Sequence, residues 1–549
     1  MSERTVGHVI SVEGSRLTGV LIDWNHGIES DGCGAGGIEF GALVKLRTVV
    51  GNVYGVVTGL WVENPSSPTA ATRMLRIDLL GEIGHSNVDP CGQFRRGICR
   101  YPRLGDDILA VTDDDLAAIY AKPQSPSVVV GTVSQSGHLH SHVATDALLG
   151  KHFAVLGTTG TGKSCAVALI LRAVLDRHPN GHVVILDPHN EYSSAFGERA
   201  EHLNPTNLRL PFWMMNFEEL VSTFVVADGP EREAEINILK QSVLEARRSF
   251  AGGDGDPGAI TVDTPVPFRL SDVQRSLNNG MGRLNRAESS LPYLRLLTRL
   301  DSLTKDARYA FLLEGLLIKD TMADVLAQLL RIPVDGRPVT ILDLSGVPGE
   351  VVDAVVSLIC RMVFDFAVWS VEPQAVPVLL VCEEAHRYVP EDLREGFQLS
   401  RRGVARIARE GRKYGLSLCL VSQRPSELSA TILSQCNTIF ALRLLNDRDQ
   451  EFVRRVVPEG AGGLLAALPA LHNREAIAVG EGVSIPMRLM FNDLPGHNRP
   501  RSSSASFADA WEYDAMDRQF VDDTIDCWRR QSREDADLWP LNAGDDGWV

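Results

Sequence analysis

A chain of 549 residues exceeds what one hydrophobic core supports, since single cores stop growing near roughly 250–300 residues, and two or three domains are expected. Hydrophobic residues make up 44% of the chain and charged residues 23%, a balance that excludes a disordered or fibrous protein. A formal net charge of −16 excludes a protein that coats nucleic acid with its whole surface; any such contact must be local, as in a ring with a basic channel and an acidic exterior.

The opening MSERTVGHVISVEG lacks the basic and apolar regions of a secretory signal. No later stretch reaches the ~18 uncharged apolar residues of a membrane span, so a cytoplasmic protein without membrane contact is expected. Nine cysteines suggest no disulfide framework, because the number is odd and Cys165, Cys360, Cys382 and Cys419 sit inside apolar runs as small hydrophobes. Cys91 and Cys99 lack zinc-site spacing.

Residues from about 5 to 112 read as short β-rich runs broken by glycine and proline: HVISVEG, ALVKLRTVVGNVYGVVTGLWV, RMLRIDLLGEI and DDILAVT. Strands so spaced predict a small barrel. From SVVVGTVSQ onward, apolar strands alternate with helical segments, the pattern of an α/β domain with a parallel sheet. Strands are predicted at HFAVLG, HVVILD, VTILDLS, VPVLLVC and LSLCLVSQ, apolar throughout as in buried sheets. Between Asp187 and Val339 lie the helical runs EREAEINILKQSVLEARRSF and LPYLRLLTRLDSL, interrupted by the loop-like AGGDGDPGA. Beyond Leu494 come a polar stretch with RPRSSSASF, one further helix pattern through Phe520 to Arg529, and the acidic tail DDGWV.

Four motifs carry chemistry. GTTGTGKS comprises Gly157, Thr158, Thr159, Gly160, Thr161, Gly162, Lys163 and Ser164, between an apolar strand and the amphipathic run that Cys165 opens, which is the context a P-loop requires. Its glycines let successive N–H groups point at phosphate oxygens, Lys163 neutralises β/γ charge, and Ser164 offers a hydroxyl to Mg²⁺. In LLVCEEAH, Glu383 is suited to the metal shell and Glu384 to orienting a water. Gln423, in SQRP after LSLCLV, is placed to sense the γ-phosphate at a strand's carboxyl end. The run SRRGVARIAREGRKYG sets Arg401, Arg402, Arg406, Arg409, Arg412 and Lys413 against one acid; either an arginine finger or a solvated or DNA-facing basic surface accounts for it. LDPHNEY adds Asp187, His189 and Glu191 as nucleotide-side support or inter-subunit contact. His138, His140 and His142 alternate without a fourth zinc ligand.

Taken in order, these segments resemble the HerA family of the HerA/FtsK ATPases. The resemblance also takes in FRRGICRYPRLGDDI, LRLPFWMMNFEEL, PVTILDLSGVPGEVVDAVVSL, REGRKYGLSLCLVSQRPSEL and LSQCNTIFALRL. It implies a HAS-type barrel over 1–125, a RecA-like P-loop core over 126–205 and 336–495, a helical insertion over 206–335 and a C-terminal extension over 496–549. It implies ATP and Mg²⁺ as cofactors and a homo-hexamer that moves double-stranded DNA through its centre. Carried over residue by residue, Lys163 and Ser164 serve the phosphates and metal, Glu384 is the catalytic glutamate, Gln423 the sensor and Arg412 the arginine finger. Two departures stand out: Glu383 replaces the common aspartate, and Lys151 replaces an arginine that contacts nucleotide across an interface, so the bidentate fork is lost.

The resemblance implies a motor feeding DNA to a NurA-like nuclease. A second reading is a scaffold that assembles an anti-phage effector, nuclease or sirtuin-like. A third, a conjugation or secretion ATPase, fits less well because the N-terminus reads as a soluble barrel. A small-molecule kinase is disfavoured, since paired carboxylates and a glutamine suit water activation.

Overall fold

The computed structural model describes residues 4–22, 38–48, 51–63, 72–84, 93–251, 259–283, 290–313, 319–370, 376–392, 397–457, 462–501, 511 and 518–530. Cys91, most of the AGGDGDPGA loop, the serine-rich stretch and the acidic tail lie outside them.

Strands β1 (Thr5–Glu13), β2 (Arg16–Leu21), β3 (Leu43–Arg47), β4 (Gly51–Glu63), β5 (Thr72–Gly84) and β7 (Asp107–Ala110) form a sheet that closes where β2 pairs with β5. β6 (Phe94–Arg96) adds to the far side of β5. Val9, Leu17, Leu46, Val53, Val57, Leu75, Ile77 and Ile108 alternate inward and make a core of their own. Register shifts at Tyr54/Gly55 and Val57/Gly59 bend the long β4–β5 ribbon as closure requires. β2 and β6 are additions to the sequence reading. In β2, Gly19 interrupts the alternation because a side chain there would meet Ile108 Cδ1 at 2.3 Å.

Among the described residues the second sheet holds eleven strands, in the order β12-β13-β11-β14-β15-β10-β16-β17-β18-β8-β9. Its parallel part comprises β10 (His152–Leu156), β11 (Val183–Asp187), β12 (Ala200–Leu203), β13 (Val339–Asp343), β14 (Val378–Cys382), β15 (Leu416–Ser422) and β16 (Cys436–Leu442). All five predicted apolar strands are there, and β14 and β15 are buried at every position. An antiparallel flank continues through β17 (Glu475–Gly480), β18 (Met487–Phe491), β8 (Ser127–Val133) and β9 (Ser136–Ala144). SVVVGTVSQ is thus β8, separated from the P-loop strand by three others. The fold is α/β, a RecA-like P-loop core with a helical insertion behind a small barrel.

Helices Phe217–Phe224, Pro230–Ala251, Leu270–Gly282 and Leu291–Lys305 fall between β12 and β13. Asn216 and Glu219 form a capping box at the start of the first. The Glu219 carboxylate, fully buried, also accepts from Ser357 Oγ at 2.9 Å and Arg361 at 3.0 Å on the core helix Gly349–Trp369. One acid therefore caps a helix and docks the insertion. Residues 1–501 form one compact unit; the second, 502–549, is described through the helix Arg518–Arg530.

The barrel is tied to the core by Arg96, which donates to Gly480 O at 2.6 Å and Ser484 O at 2.7 Å, and by Gly463 pressed into the barrel wall. A Cβ on Gly463 would stand 2.3 Å from Thr58 Cβ and 2.8 Å from Asp78 Oδ2, both buried. Gly463→Ala is expected to cost about 1–3 kcal/mol through overpacking. A denaturant midpoint unchanged from wild type would show that this contact yields freely.

Candidate active site

Because β10, β11, β14 and β15 run parallel, their carboxyl ends share one edge of the sheet, where open α/β sheets bind ligands. β10 delivers the phosphate loop there, β14 delivers Glu383 and Glu384, β15 Gln423, and β11 the turn from Asp187 to Tyr192. β15 lies between β10 and β14, so Gln423 stands between the loop and the paired acids.

Gly160 and Gly162 adopt φ of +76° and +97°, a curl that β-carbons disfavour and that exposes backbone N–H groups. A side chain on Gly157 would meet Leu442 Cβ at 2.8 Å. Lys163 opens the helix Lys163–Arg177 and donates to Thr158 O at 3.2 Å. Burial lowers its pKa, while the carboxylates of Glu383, Glu384 and Glu191 pull it back up. The Ser164 hydroxyl donates to Glu191 at 2.6 Å. Cys165, half-buried, has its thiol pKa raised by burial.

Glu383 is 1% exposed, and burial pushes its carboxyl up to about 8 although the Tyr192 hydroxyl donates to it at 2.6 Å. Glu384 holds a left-handed backbone, φ 49°, rare for a non-glycine residue and concentrated at functional sites. Its Oε1 accepts from Gln423 Nε2, and Gln423 Oε1 accepts from the Thr159 hydroxyl, a relay from phosphate loop to acid. Its buried Oε2 has no hydrogen-bond partner; His386 Nδ1 lies 3.2 Å away and equally far from Ser422 Oγ. Burial lowers the His386 pKa, which favours the neutral ring.

Lys151 and Arg412 are not brought to this edge. Lys151 immediately precedes β10 and pairs with Glu481. Arg412 lies in the turn Gly411–Tyr414 ahead of β15, on the opposite edge, roughly 20 Å away for seven strand residues. His152 anchors this end: Leu418 N–H donates to its Nδ1 at 3.0 Å, and its Nε2 bonds Ala408 O at 2.9 Å.

Tyr192, Arg443 and Arg474 carried no role in the sequence reading, and Asp187 serves its turn rather than the nucleotide directly. Tyr192 holds Glu383, and Asp187 organises its own turn by accepting N–H bonds from His189, Glu191 and Tyr192 at 3.3, 3.1 and 2.9 Å. Arg474, at φ 64°, donates its N–H to Thr161 O at 3.1 Å, and its guanidinium pairs with Asp493 at 3.1 Å. Arg443 O accepts from Thr158 N–H at 3.0 Å. An isolated arginine directly before the apolar run EAIAVG was the available signal for Arg474.

The residues fit a magnesium nucleotide: a curled amide cradle, a buried lysine, a serine hydroxyl, and an orphaned carboxylate oxygen among further acids. A strand inserted between the phosphate loop and an acid pair that can activate water defines an ATP-binding P-loop ATPase. Residues 128–363 match the family described as Helicase HerA, central domain. The DNA double-strand break repair helicase HerA of Pyrococcus furiosus is 25% identical over 409 residues, covering 70% of this chain and 72% of that protein. Its namesake from Sulfurisphaera tokodaii is 24% identical over 408 residues, covering 72% and 74%. Among solved structures, VirB4 of Thermoanaerobacter pseudethanolicus aligns with 68% of this chain and 99% of its own, at 17% identity and a TM-score of 0.47. The chain thus carries a match to the HerA central domain and is similar to HerA helicases over about 70% of its length, which places it with P-loop ATPases of that kind.

Proposed function

We propose that the chain is one protomer of a homo-hexameric, ATP-driven motor that translocates double-stranded DNA in the cytoplasm and serves a partner nuclease or effector enzyme. The observation that carries this reading is the separation of the phosphate loop from Arg412, exposed on the opposite edge without a hydrogen bond or ion pair among the described residues. A cation so placed reaches a triphosphate only across a subunit boundary, and a ring of identical subunits closes that contact repeatedly. Lys151, on the same edge, is proposed to face the neighbouring site as well. The named function of the HerA relatives in double-strand break repair supports DNA as the substrate. No helix among the described residues is long and apolar enough to cross a membrane.

In this reading the amides of Gly157 to Gly162 and the Lys163 ammonium hold the phosphates. Ser164 and Glu383 stand on the metal side, and Mg²⁺ when bound neutralises charge on the β- and γ-phosphates. Glu384 orients and deprotonates the attacking water, Gln423 reports the γ-phosphate, and Arg412 of the neighbour stabilises charge in the transition state. Measuring oligomer mass and ATPase rate with and without duplex DNA tests the proposal. A hexamer stimulated by duplex is expected, with Lys163→Ala losing ATP binding in an equilibrium titration. A rate indifferent to DNA, together with activation of a nuclease or NAD-consuming partner on assembly, would replace the motor with a scaffold.

A further inference from the structure

We infer that Glu191 is the acid that pairs with Ser164 on the metal side of the nucleotide site, and that it makes ATP capture depend on the divalent cation. This rests on the proposed binding of magnesium ATP at the phosphate loop. Three observations carry it. The Ser164 hydroxyl is bonded to Glu191 Oε2 at 2.6 Å, so this carboxylate already stands at the group that a P-loop serine offers to the metal. The position of Glu191 is built rather than incidental: its N–H is held by Asp187 at 3.1 Å, its carbonyl accepts from Arg501 N–H at 2.8 Å, and Asn190 before it adopts φ 55°. Glu383, the acid expected there, is engaged at 2.6 Å by the hydroxyl of Tyr192, the residue after Glu191. One turn therefore holds Glu383 and presents Glu191 in the same stroke.

Charge gives this arrangement its consequence. The carboxyl groups of Glu191, Glu383 and Glu384 all act electrostatically on Lys163, and Glu384 keeps a buried oxygen without a hydrogen-bond partner. A triphosphate entering without a cation meets the carboxylates of Glu191 and Glu384 against the one lysine; with the cation, the same carboxylates attract it. Glu191 thus acts as a selectivity device for the metal-loaded nucleotide.

The test titrates a fluorescent ATP analogue into the full chain, once with Mg²⁺ and once with EDTA, and counts bound Mn²⁺ by electron paramagnetic resonance. Wild type is expected to bind far more tightly with Mg²⁺. Glu191→Gln keeps an oxygen for Ser164 and removes the charge, and is expected to cut the Mg²⁺-dependent gain by roughly 10–100-fold, the range for residues that support metal ligands. Glu191→Asp, which keeps the charge, is expected to recover most of that gain and carries the test if the glutamine variant unfolds. A full gain in Glu191→Gln, or equal losses in both variants, would overturn the inference and leave Glu191 a structural partner of Ser164. Wild type that binds no nucleotide under either condition would instead remove the phosphate-loop reading on which the inference rests.

Discussion

Glu384→Gln is expected to bind ATP with wild-type affinity and to lose turnover by roughly 10²–10⁴-fold, the range for removing a general base. The amide matches the carboxylate in size and can still bond Gln423, so the relay from Thr159 survives. What disappears is the capacity to take a proton from water. The fold should hold, because the left-handed conformation at Glu384, of order 1–3 kcal/mol in cost, is set by the strand end and the following turn Ala385–Arg387 rather than by side-chain charge. Equilibrium nucleotide binding beside steady-state phosphate release separates the two properties. Normal phosphate release in this variant would take the water-orienting role away from Glu384, leaving Glu383 or Glu191 as the base.

The parts of this site legible in sequence are those whose chemistry is contiguous. A glycine loop between strand and helix, two acids closing an apolar strand, and a glutamine closing another each need a single local element to be recognised. Residues whose roles depend on strand order were less legible. Tyr192 reaches Glu383 because β11 and β14 are neighbours in the sheet, although 191 positions separate the two residues. LDPHNEY is visible as a polar cluster, yet nothing within it distinguishes the turn-building Asp187 from the site-facing Glu191. Arg474 comes from the antiparallel flank, which the alternating pattern of the parallel core does not announce. Likewise the pairing of β2 with β5 exists only because the barrel closes on itself, and β6 is a strand of just three residues. What the linear pattern conveys is periodicity and strand ends; adjacency across the sheet is decided by packing.

Among the clustered arginines, two are free to serve as the proposed finger. Arg401 bonds Glu391 O and Ser429, Arg402 pairs with Glu218 at 3.0 Å, and Arg406 pairs with Asp365 while lying 4.1 Å over the Phe364 ring. Arg409 and Arg412 are exposed and form no hydrogen bond or ion pair among the described residues. Arg412 is the better candidate for the proposed role, because it sits in a tight turn whose flanking residues Ala408 and Leu418 are both bonded to His152 of the P-loop strand, which limits its backbone freedom. Arg412→Ala is therefore expected to lower the catalytic rate by roughly 10³–10⁵-fold with ATP affinity nearly intact. Subunit mixing gives the sharper measurement. Arg412→Ala and Glu384→Gln are each expected to be inactive as pure assemblies, but in mixed rings an interface that joins a wild-type Glu384 to a neighbour's wild-type Arg412 recovers hydrolysis. Activity recovered in proportion to such interfaces places the cation in trans. No recovery, with both variants folded and assembled, would return Arg412 to its own protomer or pass the role to Arg409, and Arg409→Ala in the same mixing experiment decides between those two.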